Sequence, residues 1–294
     1  MAQIKLAICQ IPLLLEKNTR KIYNLEAHVE KVEACLNFAE NKEIDYIIFP
    51  EYSFDPVMTD VYLSKSNNMT IIGGSYISED NYNVTVIAKS GEIYSYNKIN
   101  LSPYENSIIQ GNKLNSGDDY NLYLQGSQDV KFGVLTCYDY YELSRNVAEQ
   151  ELPDGSLIDI IFSPTCNNNP GLFHDEANAT HHRRDNYYSI ICNVSSLKKI
   201  DGSSGSIVSH DYYGGSSIFG LYESVIKEQL VELELSDTNY INMILNLKEG
   251  NKILVTSLEV PYYMHRRRSR EYTENPSSIE LFEINENNTF DQQY

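Results

Sequence analysis

Residues 4–11 (Ile-Lys-Leu-Ala-Ile-Cys-Gln-Ile) are mostly apolar and too short for a helix, and they predict a buried strand. Ile22, Leu25, Val29, Val32, Leu36 and Ala39 then follow at steps of 3, 4, 3, 4 and 3, which places all six on one face of a long amphipathic helix, with Asn18 or Thr19 as its N-cap. Residues 45–49 form a second strand, apolar throughout, so both faces of its sheet are expected to be covered. Strands are predicted at 69–77 and 84–88, and Ser90-Gly91 supplies a turn into another at 92–96. Residues 106–119, rich in Asn, Gly and Ser, read as a loop suited to a pocket rim. A strand at 130–136 leads into a helix marked by Glu142, Leu143, Val147 and Ala148, followed by a strand at 158–162, a helix at 173–185 and a strand at 188–194.

This alternation describes an α/β sandwich. Ile44-Asp45-Tyr46-Ile47-Ile48-Phe49-Pro50 echoes Ile158-Asp159-Ile160-Ile161-Phe162-Ser163-Pro164, each after a predicted helix, and hints at an internal pseudo-repeat. The reading is one domain over residues 1–260 and a polar tail over 261–294, disordered or docked on another subunit.

With 41 acidic against 23 basic residues the chain carries a formal charge of −18, which argues against nucleic-acid binding, since phosphate contacts need clustered cations. Only Arg266-Arg267-Arg268 with Arg270 is locally basic, and it suits ion pairing across a subunit contact. Cys9, Cys35, Cys137, Cys166 and Cys192 contain no CxxC pair, and an odd count leaves one thiol unpaired, so free thiols in a reducing cytoplasm are expected. No stretch has the uninterrupted apolar length that spans a bilayer, and no membrane partner is expected.

Three segments carry the chemistry: Phe49-Pro50-Glu51, Tyr96-Asn97-Lys98 with Leu101-Ser102-Pro103-Tyr104-Glu105, and Gly133-Val134-Leu135-Thr136-Cys137-Tyr138-Asp139. Each sets an ionisable or nucleophilic side chain at the end of a strand-like run. A Cys ending a strand is ordinarily a small buried apolar residue, a Glu after Phe-Pro a turn residue, and a Lys after a hairpin a solvated one. Together they supply a thiol nucleophile (Cys137), a desolvated base and acid (Glu51) and a cation for an oxyanion (Lys98), with the backbone N–H of Tyr138 as a second donor.

These segments resemble the motifs of the carbon-nitrogen hydrolase family, or nitrilase superfamily: Glu51, Lys98, Glu105 and Cys137 stand where the family's two glutamates, lysine and nucleophile stand. The resemblance runs from Ile4 to Phe219. It implies a four-layer α-β-β-α sandwich, often dimerised, so a homodimer or larger homo-oligomer is expected. After Cys137-Tyr138-Asp139, Tyr140-Tyr141 leads directly to Glu142-Leu143, where many members carry Arg-Phe-Pro-Glu-Leu; Lys98 and Glu105 are 7 apart, one fewer than expected. Arg183-Arg184-Asp185-Asn186 matches the family's corresponding helix only roughly.

The expected activity is hydrolysis of a small non-peptide amide, with a nitrile or carbamoyl compound as alternatives, through a Cys137 thioester, and with no metal or organic cofactor. His174 and His181, seven apart with Asp175 and His182 alongside, could share a helical face as metal ligands, but a polar helix face is the simpler reading. Two rival functions stand beside hydrolysis: a nitrilase-like assembly or regulatory domain with little turnover, and a glutaminase supplying ammonia to a partner.

Overall fold

The computed structural model describes residues 2–107, 113–120, 122–183, 188–220, 230–231, 234–237, 239–240, 242–260 and 278–293, the side chains of 182 and 183 excepted. Its largest sheet has eight strands in the spatial order Phe290–Gln292, Ile279–Ile284, Lys252–Val260, Ala2–Gln10, Tyr46–Ile48, Thr70–Ile77, Asn83–Lys89, Glu92–Asn97. A second sheet has six, in the order Met243–Leu247, Ser216–Phe219, Tyr188–Asn193, Ile160–Thr165, Lys131–Val134, Tyr123–Gln125.

Alternation along the strands explains why their sequences look apolar throughout. Leu6, Ile8, Tyr46 and Ile48 face the second sheet and meet Phe132, Phe162 and Ile190 in the central layer. Their neighbours Ala7, Cys9, Ile47 and Phe49 face outward against Val32, Cys35, Leu36 and Ala39 of helix Leu25–Asn41 and Tyr62 of helix Thr59–Lys65. On the far side Ile161 and Ile191 pack against Tyr140 and Val147 of helix Tyr138–Glu149 and Phe173 and Ala177 of helix Pro170–Arg183. Successive side chains of one strand thus enter different cores, so every position must be apolar. The layers are helix, sheet, sheet, helix, as expected.

The internal echo is structural. Asp45 accepts the Lys5 N–H at 2.7 Å and Asp159 accepts the Lys131 N–H at 2.7 Å. Each Asp also donates its own N–H to that lysine's carbonyl, at 2.9 and 2.7 Å, and passes its carbonyl to the next parallel strand, at Thr70 and Tyr188. Tyr46 of one unit and Phe162 of the other stack across the interface at 5.6 Å.

Two expectations are corrected. The helix begins at Leu25 with Asn24 as its N-cap residue, not at Asn18 or Thr19. Ile22 lies before it, bridged to Leu15, because Leu13–Glu16 is a strand that pairs with Ser196–Ile200 in a small third sheet whose other edge is Ile207–Tyr212. The six-residue periodicity thus joined a turn residue to a real helical face. Of the stretch read as a polar tail, residues 278–293 add two strands to the main sheet, since Leu281, Phe282 and Ile284 bury themselves against the core while Glu283 between them is exposed. Residues 261–277, with Arg266, Arg267, Arg268 and Arg270, lie outside the described residues.

Candidate active site

Glu51, Lys98, Glu105 and Cys137 converge between the ends of the two large sheets. Glu51 follows strand Tyr46–Ile48 in a tight turn in which Ser53 Oγ donates to the Pro50 carbonyl at 2.5 Å and Tyr52 N–H donates to Ser75 Oγ at 3.2 Å. Gly74, at φ +76°, lets the neighbouring strand pass under this turn, as a Cβ there would lie 2.0 Å from the Pro50 carbonyl oxygen. Lys98 leaves strand Glu92–Asn97 with its N–H on the Asn83 carbonyl and its carbonyl accepting from Gly117. Glu105 sits on the short helix Pro103–Asn106, which Ser102 caps reciprocally with Glu105 itself.

The Lys98 ammonium donates to Glu51 Oε1 at 2.7 Å and to Glu105 Oε2 at 2.6 Å, all three side chains being essentially excluded from solvent. Glu105 Oε2 also takes the Ser102 N–H at 2.8 Å, so one capping carboxylate both closes a helix and holds the lysine. Asn83, a residue the sequence reading did not single out, bridges the two carboxylates from its amide nitrogen, at 2.9 Å to Glu51 and 2.7 Å to Glu105. The seven-residue spacing of Lys98 and Glu105 brings them into direct contact.

Cys137 stands between strand Lys131–Val134 and helix Tyr138–Glu149, at φ 50° and ψ −113°, a conformation an L-residue adopts only at a cost in energy. The turn is held from several sides. Cys137 N–H donates to the Pro164 carbonyl at 2.9 Å, Thr136 N–H to Tyr96 Oη at 2.7 Å, and Thr136 and Thr85 hydroxyls pair at 2.7 Å. Asp139, also missed, accepts the N–H groups of Ile99 and Asn100 at 3.1 and 2.6 Å, and so ties the first turn of helix Tyr138–Glu149 to the residues just after Lys98. Tyr138 N–H is the first of its helix, where an amide has no intrahelical acceptor.

Electrostatics separates the groups. Burial, resisted by the Lys98 charge, raises the Glu51 carboxyl to about 7. Burial pushes Glu105 up as well, but Lys98 and its other donors outweigh that and hold it below the usual carboxylate range. Lys98 is disfavoured as an ammonium by burial, yet Glu105 and Glu51 together raise it well above its ordinary value. Burial and the Glu51 carboxylate push the Cys137 thiol up, with Lys98 opposing. The arrangement is a protonated thiol under the influence of a carboxyl poised near neutrality, with a permanent cation alongside.

Other groups lie apart from it. His174 Nε2 meets the Gly215 carbonyl at 2.9 Å and His181 Nε2 meets Ser189 Oγ at 3.3 Å, both rings lying against Phe219. The side chain of His182 and residues 184–186 fall outside the description. Among the described residues no three His, Cys, Asp or Glu side chains are grouped to hold a metal ion. Tyr140, in the shortened segment, is buried and donates to Ser189 Oγ at 2.8 Å, and the helix continues unbroken behind Cys137. A cavity of about 220 Å³ on the other side of Tyr52, bordered by Arg20, Phe54 and Tyr76, includes none of the four candidate side chains.

No family model matches the sequence. A probable hydrolase of Bacillus subtilis, YhcX, is 24% identical over 183 residues, which are 52% of this chain and 34% of that protein; the match spans about a third of the relative's length. Nit3 of Saccharomyces cerevisiae, a member of branch 10 of the nitrilase superfamily, superposes with a TM-score of 0.60 at 17% identity over 90% of this chain and 93% of its own. An amidase from Nesterenkonia sp. superposes with a TM-score of 0.60 at 15% identity, again over 90% of this chain and 93% of its own. The helix-sheet-sheet-helix sandwich described above is the fold of the nitrilase superfamily, the carbon-nitrogen hydrolases.

Proposed function

We propose that the chain is a carbon-nitrogen hydrolase that cleaves a small amide through a Cys137 thioester. One observation carries this reading: a buried ammonium held between two buried carboxylates, with a buried cysteine thiol within electrostatic reach of all three. Burying three charges costs more than an apolar core of the same volume, so such a cluster is poorly explained by stability and well explained by chemistry. As the sulfur attacks the amide carbon, Glu51 takes the thiol proton, and the oxyanion meets the Lys98 ammonium and the Tyr138 N–H. Glu51 then returns the proton to the departing amine, and later takes one from the water that opens the thioester. Glu105 keeps Lys98 charged throughout. The amidase of like fold supports an amide ahead of a nitrile.

The test is thiol labelling joined to turnover. Cys137 is buried, as are Cys9, Cys35 and Cys192, so exposure does not select it; the selection rests on Glu51 as its base, and limiting iodoacetamide should modify Cys137 ahead of them and of the half-buried Cys166 in the folded protein. In a screen of amides, nitriles and carbamoyl compounds, Glu51→Gln should lower kcat/KM on the best substrate by about 10²–10⁴-fold and slow Cys137 labelling in parallel. An unreactive Cys137 together with no turnover would return the chain to the assembly-domain reading.

A further inference from the structure

The buried stripe of helix Leu25–Asn41 runs through His28, Val32, Cys35, Leu36 and Ala39. The last four are apolar and pack in the layer between helix and main sheet, whereas His28 is polar and only 7% exposed. Its Nε2 lies 2.7 Å from the carbonyl oxygen of Ser53, two residues beyond Glu51. A carbonyl only accepts, so Nε2 carries the proton and donates. Burial holds the ring below its ordinary pKa, with that carbonyl opposing, so at neutral pH the ring is uncharged and the proton it keeps is the one on Nε2.

The segment that receives this bond is strained. Tyr52 sits at φ +63°, in the left-handed region that a residue with a Cβ adopts at a cost in energy, and such a conformation persists only where its surroundings over-determine it. From inside, strand Thr70–Ile77 holds the turn, with Tyr52 N–H donating to Ser75 Oγ and Phe54 N–H to the Ser75 carbonyl, each at 3.2 Å. From outside, His28 supplies the donor to the Ser53 carbonyl. Ser53 passes the restraint on, because its Oγ donates at 2.5 Å to the Pro50 carbonyl, which belongs to the peptide group that joins Pro50 to Glu51. Two hydrogen bonds thus connect a helix of the outer layer to the backbone of Glu51, whose carboxylate meets Lys98 Nζ at 2.7 Å.

We propose that His28 is a positioning residue: through Ser53 it fixes the peptide that carries Glu51, so that the carboxylate faces Lys98 and Cys137 in one geometry. His28 touches no reacting atom and moves no proton. It keeps the strained turn closed against the sheet, and its loss leaves a buried carbonyl without a donor two residues from the base. Its catalytic meaning rests on Glu51 as the base of the proposed hydrolysis, whereas its hold on the turn is measurable without turnover.

His28→Leu keeps the position bulky, apolar and helix-forming and removes only the donor. His28→Gln keeps an N–H donor, and Ser53→Ala cuts the second bond of the relay. Phe282→Ala, in the same layer but outside the relay, controls for a general loss of stability. In hydrogen exchange of the folded protein, the Tyr52 and Phe54 amides should exchange about 10-fold faster in His28→Leu, the change expected for one lost hydrogen bond, and at the native rate in Phe282→Ala. On the best amide, kcat should fall about 10-fold or more in His28→Leu with KM little changed, as it does when a reacting group is misplaced, and His28→Gln should recover most of the loss. Ser53→Ala should give the same two results, which serves if His28→Leu does not fold, and the double variant should be little worse than either single one. Unaltered exchange at Tyr52 and Phe54, equal acceleration in Phe282→Ala, or full kcat in a His28→Leu protein whose turn has loosened overturns the proposal. A turn that loosens in His28→Leu, in a protein whose native form hydrolyses no amide, upholds the clamp and removes the hydrolase reading.

Discussion

At the residue scale the site depends on how one lysine divides its charge between two carboxylates. Glu105 lies below its ordinary value, so its contribution to stability is present above that value and is lost as pH falls through the folded one. Glu51 has the opposite sign: raised from 4.5 to about 7, it is favoured by folding in its neutral form, and its ionisation withdraws stability as pH rises between those values. A base must be ionised to work, so kcat/KM should climb about tenfold per pH unit below 7 and level off above it. Asn83 donates to both carboxylates, and Asn83→Leu removes a donor from the ionised form of each. The pH-rate limb should therefore move upward and the protein lose roughly 1–3 kcal/mol in urea unfolding. A limb unmoved in Asn83→Leu would show that this amide does not tune Glu51.

At the element scale the short structures do the placing. A four-residue helix delivers Glu105, a strained strand-to-helix turn delivers Cys137, and Asp139 ties that turn to the segment after Lys98. The two final strands of the main sheet serve its stability in the same local way. Phe282 is buried, with Phe38 of helix Leu25–Asn41 at 4.8 Å, and Lys42 pairs with Glu280 at 2.6 Å. Phe282→Ala should cost about 3–5 kcal/mol in urea unfolding. A loss under about 0.5 kcal/mol, the size expected of a surface substitution, would mean that this stretch is a loose tail after all. Cys137 labelling should be unchanged in the folded variant, because Phe282 packs on the opposite face of the sheet from the second sandwich layer.

At the scale of the whole molecule, net charge sets the terms of association. We propose a homodimer or larger assembly, in keeping with the face-to-face packing that the family resemblance implies. With a formal charge of −18, two copies repel at long range, so assembly needs an apolar contact or local opposite charges and should strengthen as salt screens the repulsion. Light scattering at micromolar concentration across a salt series measures this, and a monomer at every salt concentration would sink the proposal. Replacing Arg266, Arg267, Arg268 and Arg270 by Gln asks whether residues 261–277 make the contact, with the strands at 278–293 left intact. Among the described residues no helix is long and apolar enough to cross a membrane.

The sequence by itself determined the layers and the candidate site residues. Strands buried on both faces must be apolar at every position, which makes 4–11, 45–49 and 158–162 legible, and a Cys, a Lys and two Glu at the ends of such runs stand out against them. The echo of Asp45 and Asp159 was visible for the same reason, since one hydrogen-bonding job recurs in two units. Only the tertiary structure decided the rest. Asn83 and Asp139 carry ordinary local patterns, and their meaning comes from partners 22 to 40 residues away. The strand at 279–284 was hidden because acidic residues break its apolar run, and the helix start was misplaced because Ile22 continued a 3.6-residue period by coincidence. Local sequence fixes which side chains can be buried; the charge on Glu51 depends on which groups the fold then places against it.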